Sequence, residues 1–352
     1  MHKERRKVVN TPVSLERVAL VLGAVLALLL AWVLVQSNRR PALDAYSALV
    51  LPATGTSPVT VRFAGVATLV FDDGETALMT DGFFSRPGFL RTMFTRISPD
   101  DRAIDVGLAR LGIQRLAAVV PLHGHYDHAM DSPAVARKTG AMLIGDASIM
   151  LIGKGGGLPD RSMHEVSPGD SLRLGKWLLT FIASRHAPTP FSDGEGDERL
   201  VEPLVPPAHA SAWKQGEAWS LLIEHESKRT YLIQGSAGFV AGALRGRRAD
   251  VVFLGVGAAG KQSAAYRAEL WNEVVRAVQA RRVIAVHWDD FWVGLDQPLQ
   301  AMPYLADNLD ATMNDLRKFA AADGVDIRLP PLFTPFEAET PRPGRTSSTY
   351  RP

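Results

Sequence analysis

Residues 123–128 read His-Gly-His-Tyr-Asp-His, and these residue types are suited to binding a metal ion. Three imidazoles and one carboxylate within six positions provide the nitrogen and oxygen donors that zinc and similar ions take in proteins. The candidate ligands are His123, His125, Asp127 and His128. A metal ion held by such donors lowers the pKa of bound water, so the segment predicts a metal site able to activate water.

The sequence on either side predicts that these donors lie in a loop between a strand and a helix. Residues 116–120 form an apolar run that ends at Pro121, as a buried strand would. Downstream, Ser132 and Pro133 precede Ala-Val-Ala-Arg-Lys, which is typical of a helix start with Ser132 as its cap. The donors are therefore expected where α/β proteins often place their sites.

The order of elements predicts one large α/β domain over residues 59–336. Short strands come first as a meander, and strands later alternate with helices. This order favours two sheets packed between layers of helices. Residues 188–216 are rich in Pro, Gly and acidic residues, and a loop of that length inside a domain is usually a lid or a binding loop.

Composition narrows the classes of function. The 352 residues carry a net charge of +2, with 22% charged and 46% hydrophobic residues, which is ordinary for a globular protein. No Lys/Arg cluster interleaved with aromatics stands in the body of the chain, so a nucleic-acid partner is not expected. The chain has no cysteine, which excludes disulfides and thiolate ligands and leaves His, Asp and Glu to hold a metal.

The N-terminal residues predict a membrane anchor at residues 18–36. The uncharged run 18–35 would span about 27 Å as a helix, close to the ~30 Å hydrocarbon thickness of a bilayer. Basic residues are more numerous before the run than after it: Lys3, Arg5, Arg6, Lys7 and Arg17, against Arg39 and Arg40. The positive-inside rule then places residues 1–17 in the cytoplasm. The domain is expected on the outer, periplasmic side of a bacterial-type inner membrane, held by a single-pass signal anchor.

The alternative is a cleaved signal peptide. Its apolar core would usually be shorter, about 7 to 15 residues, and a small-residue cleavage site would follow. The sequence after Trp32 offers no such site, which favours an uncleaved anchor. Residues 37–58, with Pro, Ala, Thr and Gly, are expected to be a linker, and the polar residues 337–352 a flexible tail.

Several stretches, taken in order, resemble the metallo-β-lactamase-fold hydrolases. The loop at residues 123–128 is followed by His186 after a strand, and by His287 in Val-Ile-Ala-Val-His-Trp-Asp-Asp-Phe. The resemblance covers roughly residues 59–336 and implies a four-layer αββα sandwich. Residues 63–68, Phe-Ala-Gly-Val-Ala-Thr, and Thr-Asp-Gly at 80–82 are similar to the branch that contains N-acylphosphatidylethanolamine phospholipase D and the ascorbate-phosphate lactonases.

The resemblance also implies a ligand set for two metal ions. One ion would be held by His123, His125 and His186, and the other by Asp127, His128 and His287. A carboxylate that bridges the two ions would come from a strand end whose match here is Gly-Ser-Ala-Gly-Phe at residues 235–239, with Ser236 at the carboxylate position. Asp81 is expected to orient a ligand histidine from behind, as metal-bound imidazoles commonly require.

Ser236 is the main departure from that pattern. A carboxylate would bring a negative charge and two oxygens between ions about 3.5–4 Å apart, and a neutral hydroxyl brings neither. Three arrangements stay open: one bound metal, two metals bridged by hydroxide alone, or another carboxylate in place of the missing one. Asp289 and Asp290 follow His287 directly, and the period of a strand puts Asp289 on the same side as His287. Alternatively, both aspartates cap the next segment or pair with Arg or Lys.

Together these features predict a membrane-anchored, metal-dependent hydrolase that acts on an ester, phosphodiester or lactone. Zinc is expected, as one or two ions, and Asp127 also suits manganese or iron. Asp127 would bind the second metal or, with that site empty, act as the catalytic base. The substrate is expected to be a small molecule or lipid-like, since Leu200, Val201, Leu204 and Val205 form an apolar patch in the long loop, although they could equally anchor that loop. The alternative function, motivated by Ser236, is a non-catalytic, membrane-tethered binding domain. The sequence leaves the oligomeric state open.

Overall fold

A computed structural model of the protein describes residues 15–54, 57–189 and 198–339. Three of the predicted features fall wholly or partly outside these ranges. They are the basic residues from Lys3 to Lys7, the middle of the long loop at residues 190–197, and the tail from residue 340 onward.

The described strands and helices follow one another in the order expected of an α/β domain. The strands are β1 (Thr60–Phe63), β2 (Leu69–Asp72), β3 (Ala77–Thr80), β4 (Arg96–Ile97), β5 (Ala118–Val120), β6 (Met142–Gly145), β7 (Met163–Glu165), β8 (Ser171–Leu174), β9 (Trp177–Ser184), β10 (Ala208–His209), β11 (Ala218–His225), β12 (Arg229–Gln234), β13 (Val251–Gly255), β14 (Arg282–Val286) and β15 (Asp326–Arg328). The α-helices are α1 (Leu15–Asn38), α2 (Phe89–Phe94), α3 (Asp101–Leu111), α4 (Tyr126–Ala129), α5 (Ser132–Thr139), α6 (Ala147–Gly155), α7 (Ala264–Leu270) and α8 (Leu309–Asp323).

The strands form two large mixed sheets and one small one. The first large sheet has the order β1-β2-β3-β5-β6-β7, and the second has the order β15-β14-β13-β12-β11-β9-β8. In the first sheet β3, β5, β6 and β7 are parallel, and in the second β12, β13, β14 and β15 are parallel. The small sheet pairs β4 with β10, so it attaches the end of the long loop to the segment before α3.

Period-two alternation along the strands creates an apolar layer between the two large sheets. Phe63, Phe71 and Val120 from the first sheet pack with Phe181 and Phe253 from the second. The rings of Phe71 and Phe253 lie 5.5 Å apart in an edge-to-face arrangement, which aromatic pairs prefer. This layer joins the two sheets into a sandwich.

Helices cover both outer faces of the sandwich. On the first sheet, Val119 and Leu143 pack with Ile104 of α3 and Val135 of α5. On the second, strand residues such as Val283 pack with residues of α7 and α8, including Leu270, Met313 and Leu316. The four-layer αββα arrangement is therefore the one that the sequence predicts.

Helix α1 is long and apolar enough to span a membrane, and none of its most apolar window is buried against the rest of the protein. The segment after it is more ordered than a linker. Residues 43–49 form a 3-10 helix in which Tyr46 is buried, and the Tyr46 hydroxyl donates to Asp310 at 2.5 Å. Leu51 is buried in the layer between the sheets. Much of the predicted linker, 37–58, thus packs on the domain.

Candidate metal centre

The predicted ligands meet at one edge of the sandwich because the strands that carry them end there. β3 and β5 are parallel neighbours in the first sheet, and β12 and β14 run parallel through β13 in the second. β9 runs in the same direction as β12, since both are antiparallel to β11. The residues after these five strands are Asp81, the loop 123–128, His186, Ser236 and His287. Strand direction therefore gathers residues that are up to 206 positions apart, from Asp81 to His287.

Three histidines form the first group of donors. His123 Nε2 and His125 Nδ1 lie 3.1 Å apart. The ring centre of His186 lies 5.1 Å from that of His123 and 4.7 Å from that of His125. The donor atoms of this group all lie within 4.8 Å of one another, a spacing that one ion with ligands at about 2.0–2.2 Å can span.

The second group of donors contains the carboxylate. Asp127 Oδ2 lies 3.6 Å from His128 Nε2 and 3.4 Å from His287 Nε2, and the two Nε2 atoms are 3.2 Å apart. All three residues are buried. The two groups adjoin, since the ring centres of His123 and His128 are 3.8 Å apart. The structure thus brings together all six residues that the family resemblance named as ligands.

Burial keeps the first group in the protonation state that metal binding requires. Removal from water lowers the pKa of His125 to about 4 and that of His186 to about 3, and lowers the pKa of His123 well below its usual range. Neutral imidazoles with a free lone pair therefore face the cluster at neutral pH. Burial alone would raise the pKa of Asp127, but the nearby His128 and His287 outweigh it and lower that pKa, so the carboxylate stays charged.

Asp81 holds His128 from behind. His128 Nδ1 donates to Asp81 Oδ2 at 2.7 Å, so Nε2 is the ring nitrogen that points into the cluster. The other carboxylate oxygen, Oδ1, accepts from the Leu122 amide at 2.9 Å. The Ser132 hydroxyl donates to the Asp81 backbone oxygen at 2.6 Å and fixes the residue further. Asp81 thus has the contacts of the orienting residue that the sequence predicts.

The structure differs from the prediction that Ser132 caps helix α5. Ser132 is the first residue of α5 rather than its cap, and the N-cap position belongs to Asp131. The Ser132 hydroxyl is directed to Asp81 and to the carbonyl of His128 instead. The residue therefore supports the metal loop and does not cap the helix that follows it.

Ser236 positions the third histidine of the first group. Its hydroxyl accepts from the Ala187 amide at 2.9 Å, next to His186. His186 Nδ1 donates to the Ala187 carbonyl at 2.7 Å, which leaves Nε2 for a metal. Gly238 completes the contact, because a Cβ at that position would lie 2.4 Å from the His186 carbonyl oxygen. The neutral hydroxyl of Ser236 therefore occupies the position at which the family pattern has a carboxylate.

Asp289 does not take the place of that carboxylate. Its Oδ2 receives a hydrogen bond from Arg86 Nη2 at 2.6 Å, and both side chains are fully buried. Its Oδ1 accepts from the Val66 amide at 2.8 Å, while the Val66 carbonyl accepts from the His287 amide at 2.7 Å. Asp289 and Arg86 therefore support the backbone that carries His287, and neither residue belongs to the two donor groups.

Asp290 is also engaged elsewhere. Its Oδ2 pairs with Arg40 Nη1 at 3.1 Å, and its Oδ1 accepts from the Trp292 amide at 3.1 Å. The prediction that Asp289 or Asp290 restores the missing charge is therefore wrong for this structure. Both follow the alternative, in which they pair with arginines and cap backbone amides. The physical reason is that nearby buried or half-buried guanidinium groups need these carboxylates.

Sequence reasoning missed Arg86, whose only trace is a charged residue in the otherwise apolar stretch Phe-Phe-Ser-Arg-Pro at 83–87. Local backbone strain marks the same network. Among the described residues other than glycine, eight have positive φ, and four of these lie around the metal edge: Val66 (50°), Asp81 (56°), Arg86 (42°) and His287 (58°). Such conformations cost free energy and persist where surrounding contacts impose them.

The end of the long loop covers the metal loop. The Gly124 amide donates to the Gln215 carbonyl at 2.7 Å, and a Cβ on Gly124 would lie 2.1 Å from the Lys214 carbonyl oxygen. Only glycine permits this approach. Within the apolar residues 200–205, Leu200 and Leu204 pack on the outer core of the first sheet, whereas Val201 and Val205 are exposed. Half of the patch therefore anchors the loop, as one of the two interpretations expects.

Comparison with known proteins agrees with this architecture. The family model described as "Beta-lactamase superfamily domain" matches residues 92–288, more than half of the chain. The chain belongs to this family. The metallo-β-lactamase fold that the sequence predicts is confirmed. The narrower resemblance to the phospholipase and lactonase branch stays a prediction.

Curated relatives are similar to shorter parts of the chain. A UPF0173 metal-dependent hydrolase of Anaeromyxobacter is 29% identical over 147 residues, which are 41% of this chain and 47% of that protein. Another, of Chloroflexus aurantiacus, is 27% identical over 82 residues, 23% of this chain and 34% of that protein. The matches thus span about half and about a third of the relatives' lengths.

Among solved structures, the chain is similar to Igni18, a metallo hydrolase from Ignicoccus hospitalis. The TM-score is 0.49 at 13% identity, with 79% of this chain and 98% of that chain covered. It is also similar to an isothiocyanate hydrolase from Delia radicum gut bacteria, with a TM-score of 0.47 at 14% identity and with 80% and 99% covered.

Proposed function

We propose that this protein is a membrane-anchored, metal-dependent hydrolase. The observation that carries the proposal is the pair of adjoining donor groups, three histidines in one and two histidines with Asp127 in the other, at one edge of the sandwich. A cluster of five imidazoles and one carboxylate suits a divalent transition ion, and its assembly in a protein interior is costly without one. The curated relatives, which are named metal-dependent hydrolases, support carrying that activity to this chain.

The residues of the centre would have separate roles in such a reaction. When bound, a divalent metal supplies Lewis acidity, which lowers the pKa of water and polarises a carbonyl or phosphoryl oxygen. Asp81 keeps His128 in one tautomer, with Nε2 directed at the metal position. Asp127 would complete the second donor group, and only if that group were empty would its carboxylate be free to accept the proton of the attacking water. Burial of Asp127, His128 and His287 limits the access of bulk water to the second group and strengthens the attraction between charges there.

Zinc fits the histidine-rich donor set best, and manganese or iron also suits Asp127. We expect one tightly bound ion and one weaker ion. Two divalent ions bring four positive charges to donors of which only Asp127 is negative, because Ser236 adds no charge and Asp289 and Asp290 are paired with arginines. The tight ion should occupy the group of Asp127, His128 and His287, which holds that charge and is backed by Asp81.

The substrate class is an ester, a phosphodiester or a lactone, of a small or lipid-like molecule. An anchor would hold the reaction beside a bilayer. Helix α1 supports the anchor, because its 24 residues are about 36 Å long, and exposed large apolar side chains follow one another along it from Val18 to Val35. Basic residues before the helix favour a domain on the outer side of the membrane.

The test begins with metal content. Full-length protein from zinc-supplemented cells should contain at least one ion per chain by inductively coupled plasma mass spectrometry. His128→Ala with His287→Ala should remove the tight ion, and His123→Ala with His186→Ala the weaker one, because each pair takes two of three donors from one group. The exposed His164→Ala is the matched control. Metal-free wild-type protein from such cells would contradict the proposal.

Hydrolysis is then measured on a panel of bis-phosphodiesters, esters and lactones. Activity should disappear with a chelator, return with zinc, and be absent from both double variants. A second candidate function, a non-catalytic binding domain, is motivated by Ser236. That function would leave the metal content intact while every compound of the panel stays uncleaved.

A further inference from the structure

Helix α2 presents a concentrated apolar surface outside the metal centre. In the described part of the chain beyond α1, nine large apolar side chains are exposed. Four of them are on this six-residue helix: Phe89 (47%), Leu90 (69%), Met93 (53%) and Phe94 (75%). Exposed apolar residues are ordinary when scattered singly, but a cluster of this kind indicates a surface that something covers.

A series of direct contacts connects this helix to the end of α1. The backbone amide of Leu305 donates to the Gln36 carbonyl at 3.1 Å, and the amide of Tyr304 donates to the Arg39 carbonyl at 2.9 Å. These bonds fix the last turn of α1 and the residue after it on the domain. Arg40 then pairs with Asp290 at 3.1 Å and donates to Gln300 at 2.6 Å. The position at which the chain would leave a bilayer is thus set by the segment that follows His287.

The same segment supports α2. Asp290 accepts from the Trp292 amide, and the Trp292 ring packs edge-on against Phe89, with ring centres 4.9 Å apart. Trp292 Nε1 also donates to the hydroxyl of Tyr126, which lies in the metal loop. Trp292 therefore contacts both α2 and the metal loop, and it lies two residues from the aspartate that holds Arg40.

We propose that α2 is a second membrane contact, which lies on the surface of the bilayer that α1 crosses and holds the metal centre at the lipid interface. The proposal rests on the proposed anchor. The occupant is a bilayer rather than a protein because direct contacts through Trp292, Asp290 and Arg40 connect the patch to the end of the apolar helix α1. Exposed Arg91 and Arg96 within and after α2 suit anionic headgroups, as in interfacial helices with basic residues beside apolar ones.

The proposal also narrows the substrate class. A metal centre held against the bilayer favours an ester or phosphodiester of an amphiphile that stays in the membrane. Leu90→Glu with Phe94→Glu should therefore reduce hydrolysis of a vesicle-borne phospholipid more than hydrolysis of a short-chain soluble analogue. Val106→Glu, on the exposed face of α3, should leave the ratio of the two rates unchanged. Equal losses on both substrates would contradict this assignment of the substrate class.

The membrane contact itself is tested without reference to activity. Because the chain has no cysteine, nitroxide labels can be placed singly by Leu90→Cys, Phe94→Cys, Val106→Cys and Leu26→Cys in the full-length protein. The labelled proteins are reconstituted in vesicles of phosphatidylethanolamine and phosphatidylglycerol. Collision rates with oxygen, which concentrates in lipid, and with a nickel chelate, which stays in water, then report the surroundings of each label.

We expect labels at 90 and 94 to collide more with oxygen and less with the chelate than the label at 106. Equal chelate access at 90, 94 and 106 would overturn the proposal. Protection of 90 and 94 from both reagents would also overturn it, because a protein partner or a second copy would then cover the helix. The label at Leu26 separates the two inferences: if it is in lipid while 90 and 94 are in water, only the contact of α2 fails, and if it is in water, the proposed anchor fails.

Discussion

The two halves of the metal centre are held in different ways. The half formed by Asp127, His128 and His287 is buried and supported by charge: Asp81 holds His128, and the buried pair of Arg86 and Asp289 holds the backbone beside His287. The half formed by His123, His125 and His186 contains no carboxylate. Its third histidine is positioned by the neutral hydroxyl of Ser236 and by a backbone carbonyl.

This difference shows that the missing carboxylate is not compensated where two ions would meet. Negative charge is instead concentrated in and behind one half, and Asp289 is neutralised by its own arginine. Since a buried metal is stabilised by nearby negative charge, the halves should differ in affinity although each offers three donors. The protein would then have two metal sites, of which the site with Asp127 binds its ion more tightly.

Breaking the buried pair should have the largest effect. Asp289→Ala leaves the Arg86 guanidinium buried without its partner, so we expect a loss of roughly 3–5 kcal/mol in the free energy of unfolding, measured by denaturant titration in detergent. Asp290→Ala is the control, because its partner Arg40 is 30% exposed. Loss of that ion pair and of the Trp292 hydrogen bond should cost about 1–2 kcal/mol. Equal losses would show that the buried pair does not support this half in the way described.

Asp81→Asn tests how the charged half is oriented. The amide keeps the shape of the side chain but removes the charge that fixes the His128 tautomer, so affinity for the tight ion should fall about 10- to 100-fold. Competition with a chelating dye measures this affinity. Asp160→Asn, at a side chain that is 84% exposed, should leave it unchanged. An unchanged affinity in Asp81→Asn would show that the Asp81 charge does not orient His128 for metal binding.

Ser236→Asp should make the metal affinities of the two halves more alike, and its effect should be the smallest of the three substitutions. A carboxylate at this strand end would add a negative charge near His186, and we expect affinity for the weaker ion to rise about tenfold, equivalent to about 1.4 kcal/mol. Ser236→Ala removes only the hydrogen bond from Ala187 and should instead weaken that ion a few-fold, in line with about 1 kcal/mol for a hydrogen bond. Calorimetric zinc titration separates the two sites, and a rise in both variants would contradict the role given to the hydroxyl.

Elements whose pattern is local could be predicted well. The apolar run at residues 116–120 predicts a buried strand, and β5 (Ala118–Val120) lies within it, since a buried strand is defined largely by its own residues. Helix α7 (Ala264–Leu270) shows a limit of such patterns, because it continues into a π-helical turn, Trp271–Arg276. Hydrophobic periodicity does not distinguish those two kinds of helix, because both bury apolar residues at similar spacings, as Trp271, Val274 and Val275 are buried here.

The histidines at 123, 125 and 128 were found because their spacing is a local signal, whereas His186 and His287 were found through the family resemblance. The ion pair between Arg86 and Asp289 was not found, since its partners are 203 positions apart and neither residue type indicates the other. The same reason applies to the packing of residues 37–58. Composition suggests a linker there, but Tyr46 and Leu51 pack on parts of the domain that are distant in sequence.

The close backbone approaches at Gly124 and Gly238 limit how this protein can diverge in evolution. Descendants can vary the long loop freely at exposed positions such as Val201, which is 93% exposed. They cannot move residues 214–215 or the turn after His186 without also changing a position that tolerates no side chain. Sequence changes in the long loop should therefore accumulate at its exposed positions, while the two points at which backbone meets backbone stay as they are.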